Sequence, residues 1–166
     1  MKTMTMGVLA AAAMLFGSVA DAQQRTRTEL GASTSRTLIV QSLATQPTNP
    51  AITEVSAALA VEFEFGKADL TPMGRVVVDV LAQALNSPEL MPYTFLVEGH
   101  TDAVGSEQTN LTLSQRRAET VRAALAQRGV DPVRLTTAGF GELRLLPGIP
   151  GDAARNRRVE VVRRVN

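Results

Sequence analysis

Between Val61 and Phe65 the chain reads VEFEF, a strict alternation that suits a strand with Val61, Phe63 and Phe65 toward a core and Glu62 and Glu64 away from it. Gly66 breaks the pattern. Thr71-Pro72 then offers an N-cap followed by proline at the first helical position. Met73, Val76, Val77, Val80, Leu81, Ala84 and Leu85 recur at three- and four-residue spacing, one apolar stripe of a helix that Asn86-Ser87-Pro88 stops. Tyr93 to Val97 reads as a second strand ended by Gly99. A second helix is predicted over about Leu113 to Arg128, with an earlier start allowed, Ala118, Val121, Ala124 and Leu125 buried, and Gly129 as its stop. Val133 to Ala138 and Arg157 to Val162 read as two further strands. The order β-α-β-α-β-β predicts an α+β fold in which two helices pack on one mixed sheet.

The N-terminal part follows different rules. Lys2, an uncharged and mostly apolar run from Met6 to Val19, and Ala20-Asp21-Ala22 have the layout of an export signal with its cleavage site. As a helix the run would measure about 21 Å, short of a hydrocarbon core of ~30 Å. Residues 1–22 are therefore expected to be a signal peptide, and the mature chain to start at Gln23 with no transmembrane segment. Residues 23–50, rich in Thr, Ser, Gln and Arg and closed by Pro47 and Pro50, read as a flexible tether, with one short strand allowed over Thr37 to Leu43. Residues 51–166 are expected to form the folded domain.

Composition narrows the chemistry. The 166 residues contain no cysteine, which excludes disulfides, thiolate metal sites, a cysteine nucleophile and a lipid-acceptor cysteine. A formal net charge of +1 and few aromatic residues argue against nucleic-acid binding. Late arginines, Arg155, Arg157, Arg158, Arg163 and Arg164, read first as a solvated strand edge. Neither His100, the single histidine, nor Ser114 stands in a triad pattern, and Glu62 and Glu64 share an outward strand face, so no catalytic residues, metal or cofactor are expected.

The chemistry that remains lies between Leu96 and Ala118, LVEGHTDAVGSEQTNLTLSQRRA. Asp102 is in the loop after a strand. Arg117 lies four residues after Leu113 and four before Val121, so it shares their side of the helix and is directed partly toward the sheet. Arg116 points about 100° away, toward solvent. Ligands of open α/β sheets commonly bind beyond the carboxyl ends of strands, where this pair falls. The spacing fits two readings equally: an ion pair tying loop to helix, or an anion and a cation set to grip a small zwitterion.

TD-x-x-G from Thr101, N-x-x-LS-x-x-RA from Asn110, and NRRV over Asn156, Arg157, Arg158 and Val159 resemble the peptidoglycan-binding signature of the OmpA-like C-terminal domain family. The resemblance runs from about Val61 to Arg163. It implies that Asp102 takes the ammonium of meso-diaminopimelate in the peptidoglycan stem peptide and that Arg117 takes its carboxylate, a match of anion to cation and of guanidinium fork to carboxylate. Asn110 would bond the ligand or cap the helix; Thr101 would contact the ligand or stabilise the loop; Arg157 and Arg158 would meet stem-peptide carboxylates or glycan, or solvate the strand end. The implied protein is a secreted, non-catalytic peptidoglycan binder in the periplasm, cell-wall associated and peripheral to the outer membrane. Two alternatives stand beside it: an envelope protein-interaction module using the tether or the Gly- and Pro-rich stretch from Leu143 to Ala154, and a wall-cleaving enzyme.

Overall fold

The computed structural model describes residues 25–31 and 34–165; the expected signal peptide lies outside them. Its elements are strand β1 (Arg25–Leu30), helix α1 (Arg36–Ala44), β2 (Glu54–Leu59), α2 (Pro72–Leu85), β3 (Phe95–His100), α3 (Glu107–Ala126), β4 (Leu135–Gly141) and β5 (Arg158–Arg164), with short 3-10 turns at Pro132–Arg134 and Ala154–Asn156. The strands form one mixed sheet in the order β1-β2-β5-β3-β4. The outer pairs, β1 with β2 and β3 with β4, are parallel, and the last strand inserts antiparallel between β2 and β3. The α+β class and the helix-on-mixed-sheet architecture match the expectation, with one more helix and one more strand than the sequence pattern indicated.

The additions come from the stretch expected to be a tether. Residues 25–30 form the edge strand β1, and residues 36–44 form α1 rather than a strand or a flexible linker. Thr37, Ile39 and Val40 favour strands as isolated residues. Ser35, however, caps the segment by accepting from the Leu38 amide, and Ile39 and Leu43, four apart, both become fully buried. Tertiary burial outweighs local preference. Arg163 completes the dock: its guanidinium donates to the carbonyls of Leu43 and Thr45 at the end of α1 and stacks on Tyr93, 4.4 Å from the ring centroid. Of the late arginines, Arg158, Arg163 and Arg164 thus belong to a central strand and not to a sheet edge, with Arg158 and Arg163 buried, while Arg155 and Arg157 precede that strand and, like Arg164, are exposed.

The first strand of the pattern also moves. The ladder is made by Glu54–Leu59, and Val61–Phe65 contributes only an isolated bridge between Phe63 and Leu70. Val61 is buried, Phe63 half-buried and Phe65 fully exposed. EVSAAL hides from pattern reading because it is covered on both faces, so its small residues show no alternation. In α2, Val77, Val78, Leu81, Ala82, Ala84 and Leu85 face the core, whereas Met73 and Val76 are exposed; the stripe is rotated toward the second half of the helix.

Helix α3 sets the position of the site. Its backbone lies so close to β3 and β4 that a side chain would not fit between them: a Cβ on Gly99 would stand 2.1 Å from the Ser114 carbonyl oxygen, and one on Gly139 2.3 Å from the Gln115 nitrogen. Ser114 locks this approach, accepting from the Gly141 amide at 2.8 Å and donating to the Leu111 carbonyl at 2.8 Å. A register shift between Gly99 and His100 then turns the chain into the loop after β3.

Candidate functional site

Arg117, one turn beyond Ser114 on α3, is buried against Phe63, its guanidinium 4.9 Å from the ring centroid, and its Nε donates to the Lys67 carbonyl at 3.0 Å. Among the described residues no carboxylate forms an ion pair with it. Burial pulls its pKa below the usual arginine value, the neighbouring Arg157 adds to the pull, and Asp102 opposes it. This is a partly desolvated cation without its own anion.

Asp102 sits at the end of the β3 loop. One carboxylate oxygen accepts from the Val104 amide at 3.2 Å, and the other receives Arg157 Nη1 at 2.7 Å. That ion pair is only part-buried, with side-chain exposures of 13% for Asp102 and 50% for Arg157, so the guanidinium can leave. Arg157 sits just before β5, on the turn at Ala154–Asn156. A cleft of about 360 Å³ opens here, walled by Glu62, Phe63, His100, Arg117, Arg157 and Arg158. Asp102 is not part of the cleft wall and is joined to it through Arg157, so the ion pair that ties this loop runs to Arg157 rather than to Arg117.

The other sequence candidates have structural partners. Asn110 does not cap α3; Ser106 does, accepting from the Thr109 amide. Asn110 Nδ2 instead donates to the carbonyls of Asp102 and Val104 and to Glu142, stapling the loop that carries Asp102. Arg158 is buried and bound to Glu160 (2.7 Å), the Asn156 carbonyl and the Arg144 carbonyl. Thr101 donates its amide to the Gly141 carbonyl, while its buried hydroxyl has no partner. Arg116 is exposed, as expected. Asn156, the first residue of NRRV, holds the Leu143–Ala154 stretch: its side chain accepts from Leu146 and donates to the Pro150 and Gly151 carbonyls. Gly151 in turn accepts from the Ala103 amide, so that stretch braces the Asp102 loop. Sequence reasoning missed Phe63 as the platform beneath Arg117; its place in the VEFEF alternation assigned it to the core.

A second charged cluster covers the helix-free face of the sheet. Glu98 and Glu160 lie directly opposite each other on β3 and β5, both fully buried. Arg25 reaches Glu98 at 2.7 Å and Glu54 at 2.7 Å, Arg158 and Arg27 take Glu160 at 2.7 and 3.0 Å, and Arg144 approaches Glu98 at 3.4 Å. Burial alone would raise both carboxyls. The approach of His100 and the hydrogen-bonded guanidinium of Arg25 outweigh it at Glu98 and hold that group at about 2, and Arg158, His100 and Arg27 likewise lower Glu160. His100 Nε2 stands 3.5 Å from Glu98, an electrostatic approach rather than a good hydrogen bond, and the ring stacks on Phe140 at 5.6 Å. Glu98, His100 and Glu160 could in principle converge on a cation, their ligand atoms lying within 4.8 Å of one another. Guanidinium groups already hold both carboxylates, while the two ring nitrogens of His100 are buried without a hydrogen-bond partner.

The fold and cleft define an α+β module with a charged pocket at the strand ends. The chain belongs to the OmpA family, whose pattern matches residues 62–158. It is 41% identical over 101 residues to outer membrane protein A of Bordetella avium, covering 60% of this chain and 51% of that protein. It is 39% identical over 114 residues to outer membrane porin F of Pseudomonas fluorescens, covering 67% of this chain and 34% of the relative. The chain thus spans about half or less of these relatives. Among solved structures it resembles the OmpA-like domain of FopA1 from Francisella tularensis (25% identity, TM-score 0.57, covering 72% of this chain and 81% of that one). It also resembles the peptidoglycan-associated lipoprotein from Burkholderia pseudomallei (28% identity, TM-score 0.52, covering 68% and 91%). No helix among the described residues is long and apolar enough to cross a membrane.

Proposed function

We propose that this chain is an exported, non-catalytic peptidoglycan-binding protein that works in the periplasm against the cell wall and holds the free end of diaminopimelate in the Arg117–Asp102 cleft. The observation that carries the reading is the state of Arg117: a buried guanidinium, oriented by Phe63 and the Lys67 carbonyl, facing a cleft without an anion of its own. A ligand carboxylate would supply that anion. The ligand ammonium would take the place at Asp102 that Arg157 occupies in the free protein, and the displaced, half-exposed Arg157 would remain at hand for a second carboxylate. Thr101, with its unpaired hydroxyl, stands on the same loop. Asn110 and Arg158 would act by holding that loop and the β5 start in place. The names of the outer-membrane and peptidoglycan-associated relatives support the wall as target.

The test uses isolated sacculi and soluble wall fragments. The protein should sediment with sacculi, release no soluble fragments, and bind by calorimetry to stem peptides with free distal diaminopimelate groups. Fragments with that amine acetylated or that carboxylate amidated should bind much more weakly, and equal binding to all three would end the zwitterion reading. Protein isolated from cells should begin at Gln23 by intact mass; a retained Met1 in the membrane pellet would mean an anchor. Exposed Val104, Leu143 and Leu145 near the cleft favour, as a second role, contact with an envelope protein.

A further inference from the structure

A concavity of about 580 Å³ opens at the other end of the sheet from the cleft, where β3 and β4 begin and β5 ends. Tyr93, Phe95, Leu96 and Val162 give it an apolar floor, and Val133, 86% exposed, belongs to its wall. Its charges are lopsided: among the described residues Arg134, Arg163 and Arg164 line it against one carboxylate, Glu54. Arg25 already holds Glu54 at 2.7 Å, and Arg164 approaches it at 3.7 Å. Arg134 donates to the Leu85, Leu90 and Tyr93 carbonyls, as Arg163 does to those of Leu43 and Thr45, and among the described residues no carboxylate forms an ion pair with either. Carbonyl dipoles orient these guanidinium groups without cancelling their charge, so the concavity carries a positive field over an apolar floor.

The strand beside it is open. β4 contributes Thr136 to the wall and is an edge of the sheet. The opposite edge, β1, carries Arg25, Arg27 and Glu29, charges that discourage pairing with a foreign strand. β4 reads LTTAGFG, with no charge and no proline. Its ends are occupied: Arg122 takes the Leu135 carbonyl, the Leu143 amide takes that of Phe140, and Gly141 bonds Thr101 and Ser114. From Thr136 to Gly139, among the described residues, no side chain or loop takes a backbone group on the side away from β3. We propose that this end of the sheet docks an extended acidic segment of another protein, which adds to β4 as a short sixth strand and sets carboxylates toward Arg134 and Arg164 with an apolar side chain on the Phe95–Leu96 floor. The open edge accepts a backbone and the concavity accepts anionic and apolar side chains, a combination that an extended peptide supplies. A second copy fits less well: its β4 brings no carboxylate, and its β1 brings two arginines for one glutamate. The contact lies at the opposite end of β3 from Arg117, so it can coexist with wall binding.

The probe is the synthetic peptide acetyl-Glu-Val-Glu-Val-Glu-Val-amide. The wild-type chain should bind it by calorimetry, and the analogue with Lys for each Glu at least tenfold more weakly. Of the two alternately N-methylated forms of the acidic peptide, at least one should lose tenfold or more, because its donors to the edge are gone while its charge is intact. Bound peptide should slow hydrogen exchange at amides within Thr136–Gly139 and not at those of β1. Arg164→Ala, shown folded by its thermal transition, should weaken binding about two- to fivefold, the scale of an exposed ion pair. No binding by the wild-type chain, equal binding of the acidic and basic peptides, or binding without protection at β4 overturns the proposal. So does protection of β4 that appears with rising protein concentration and no peptide, which would assign the edge to a second copy. Displacement of the chain from sacculi by the acidic peptide would place the peptide in the Arg117 cleft and overturn the proposal as well.

Discussion

The arginine–carboxylate clusters around Glu98 and around Asp102 are built from the same side chains and share a border at His100 and Arg158, yet they end in opposite states. At Glu98 and Glu160 every carboxylate is buried and held by more than one guanidinium. Burial alone would lower the Arg25 pKa, but Glu98 and Glu54 push it above the usual arginine value, so that this cation is as fully engaged as its anions. At Asp102 the single ion pair is half-exposed, and Arg117 keeps its charge unmatched. Satisfied charges in a low-dielectric setting fix a structure and have little left to offer a ligand. An oriented, unmatched charge next to water is costly to the free protein and is the state that a ligand can relieve. The difference between scaffold and site here is therefore one of saturation and access, not of residue type.

The largest expected effect breaks the scaffold cluster. Glu160→Ala leaves the buried Arg158 and the half-buried Arg27 without their anion, which should cost about 3–5 kcal/mol of stability and lower the melting temperature by on the order of 10 °C. Calorimetric melting checks this, and a fall of only a degree or two would mean that the cluster is looser than its geometry. Next in size, Asp102→Ala or Arg117→Ala should weaken binding to sacculi by roughly thirtyfold or more while the fold persists, because each removes one member of a partly buried charged contact. Arg117→Lys should not restore full binding, since an ammonium lacks the bidentate fork. If both alanine variants stay folded and still pellet with sacculi, the pair belongs to the scaffold as well.

This contrast bears on what the chain discloses before folding. The helix α2 start at Thr71-Pro72, the α3 stripe and the glycine at 129 were legible because local chemistry and packing agree there. Arg117 was placed on the sheet-facing side of its helix from spacing alone. What spacing could not supply was pairing: that Arg157, not Arg117, reaches Asp102 and that Asn110 reaches Glu142, because these contacts join residues 55 and 32 positions apart; the shorter-range bonds by which Asn110 and Asn156 staple their loops depend on loop backbone shape, which no side-chain pattern encodes. Glu98 gave no signal of its partnership with Arg25, 73 positions away. β1 was invisible for the same reason, since its polar composition looks unstructured until the opposing charges of β3 and β5 are in view, whereas Thr37 to Leu43 read as a short strand because its β-branched residues gave no sign of the burial of Ile39 and Leu43 that makes it a helix.

A smaller effect separates the clusters by pH. Burial lowers the His100 pKa below the usual 6.5, with the Arg158 charge adding and Glu98 and Glu160 opposing. The unfolded chain then takes up a proton that the folded chain resists, so stability should start to fall as pH drops below about 6.5. A second decline follows from about 4.5 toward about 2, where the unfolded Glu98 carboxyl is protonated and the folded one is not. His100→Phe keeps a ring against Phe140 and should flatten the upper step only, read as melting temperature against pH. An unchanged upper step would assign it to another group.

The smallest expected effect is the most discriminating for the site. Arg116 and Arg117 are adjacent arginines of the same helix, so bulk charge attraction to an anionic wall would treat them alike. The fold does not: Arg116 is exposed, while Arg117 is buried over Phe63 and opens on the cleft. Arg116→Ala should therefore change sacculus binding by about twofold or less, and that residual change should vanish at high salt. The Arg117→Ala loss should persist in salt, since a partly buried contact is screened much less. Should the two variants lose binding equally, and recover together as salt is varied, attachment is a surface-charge effect and the cleft is not its seat.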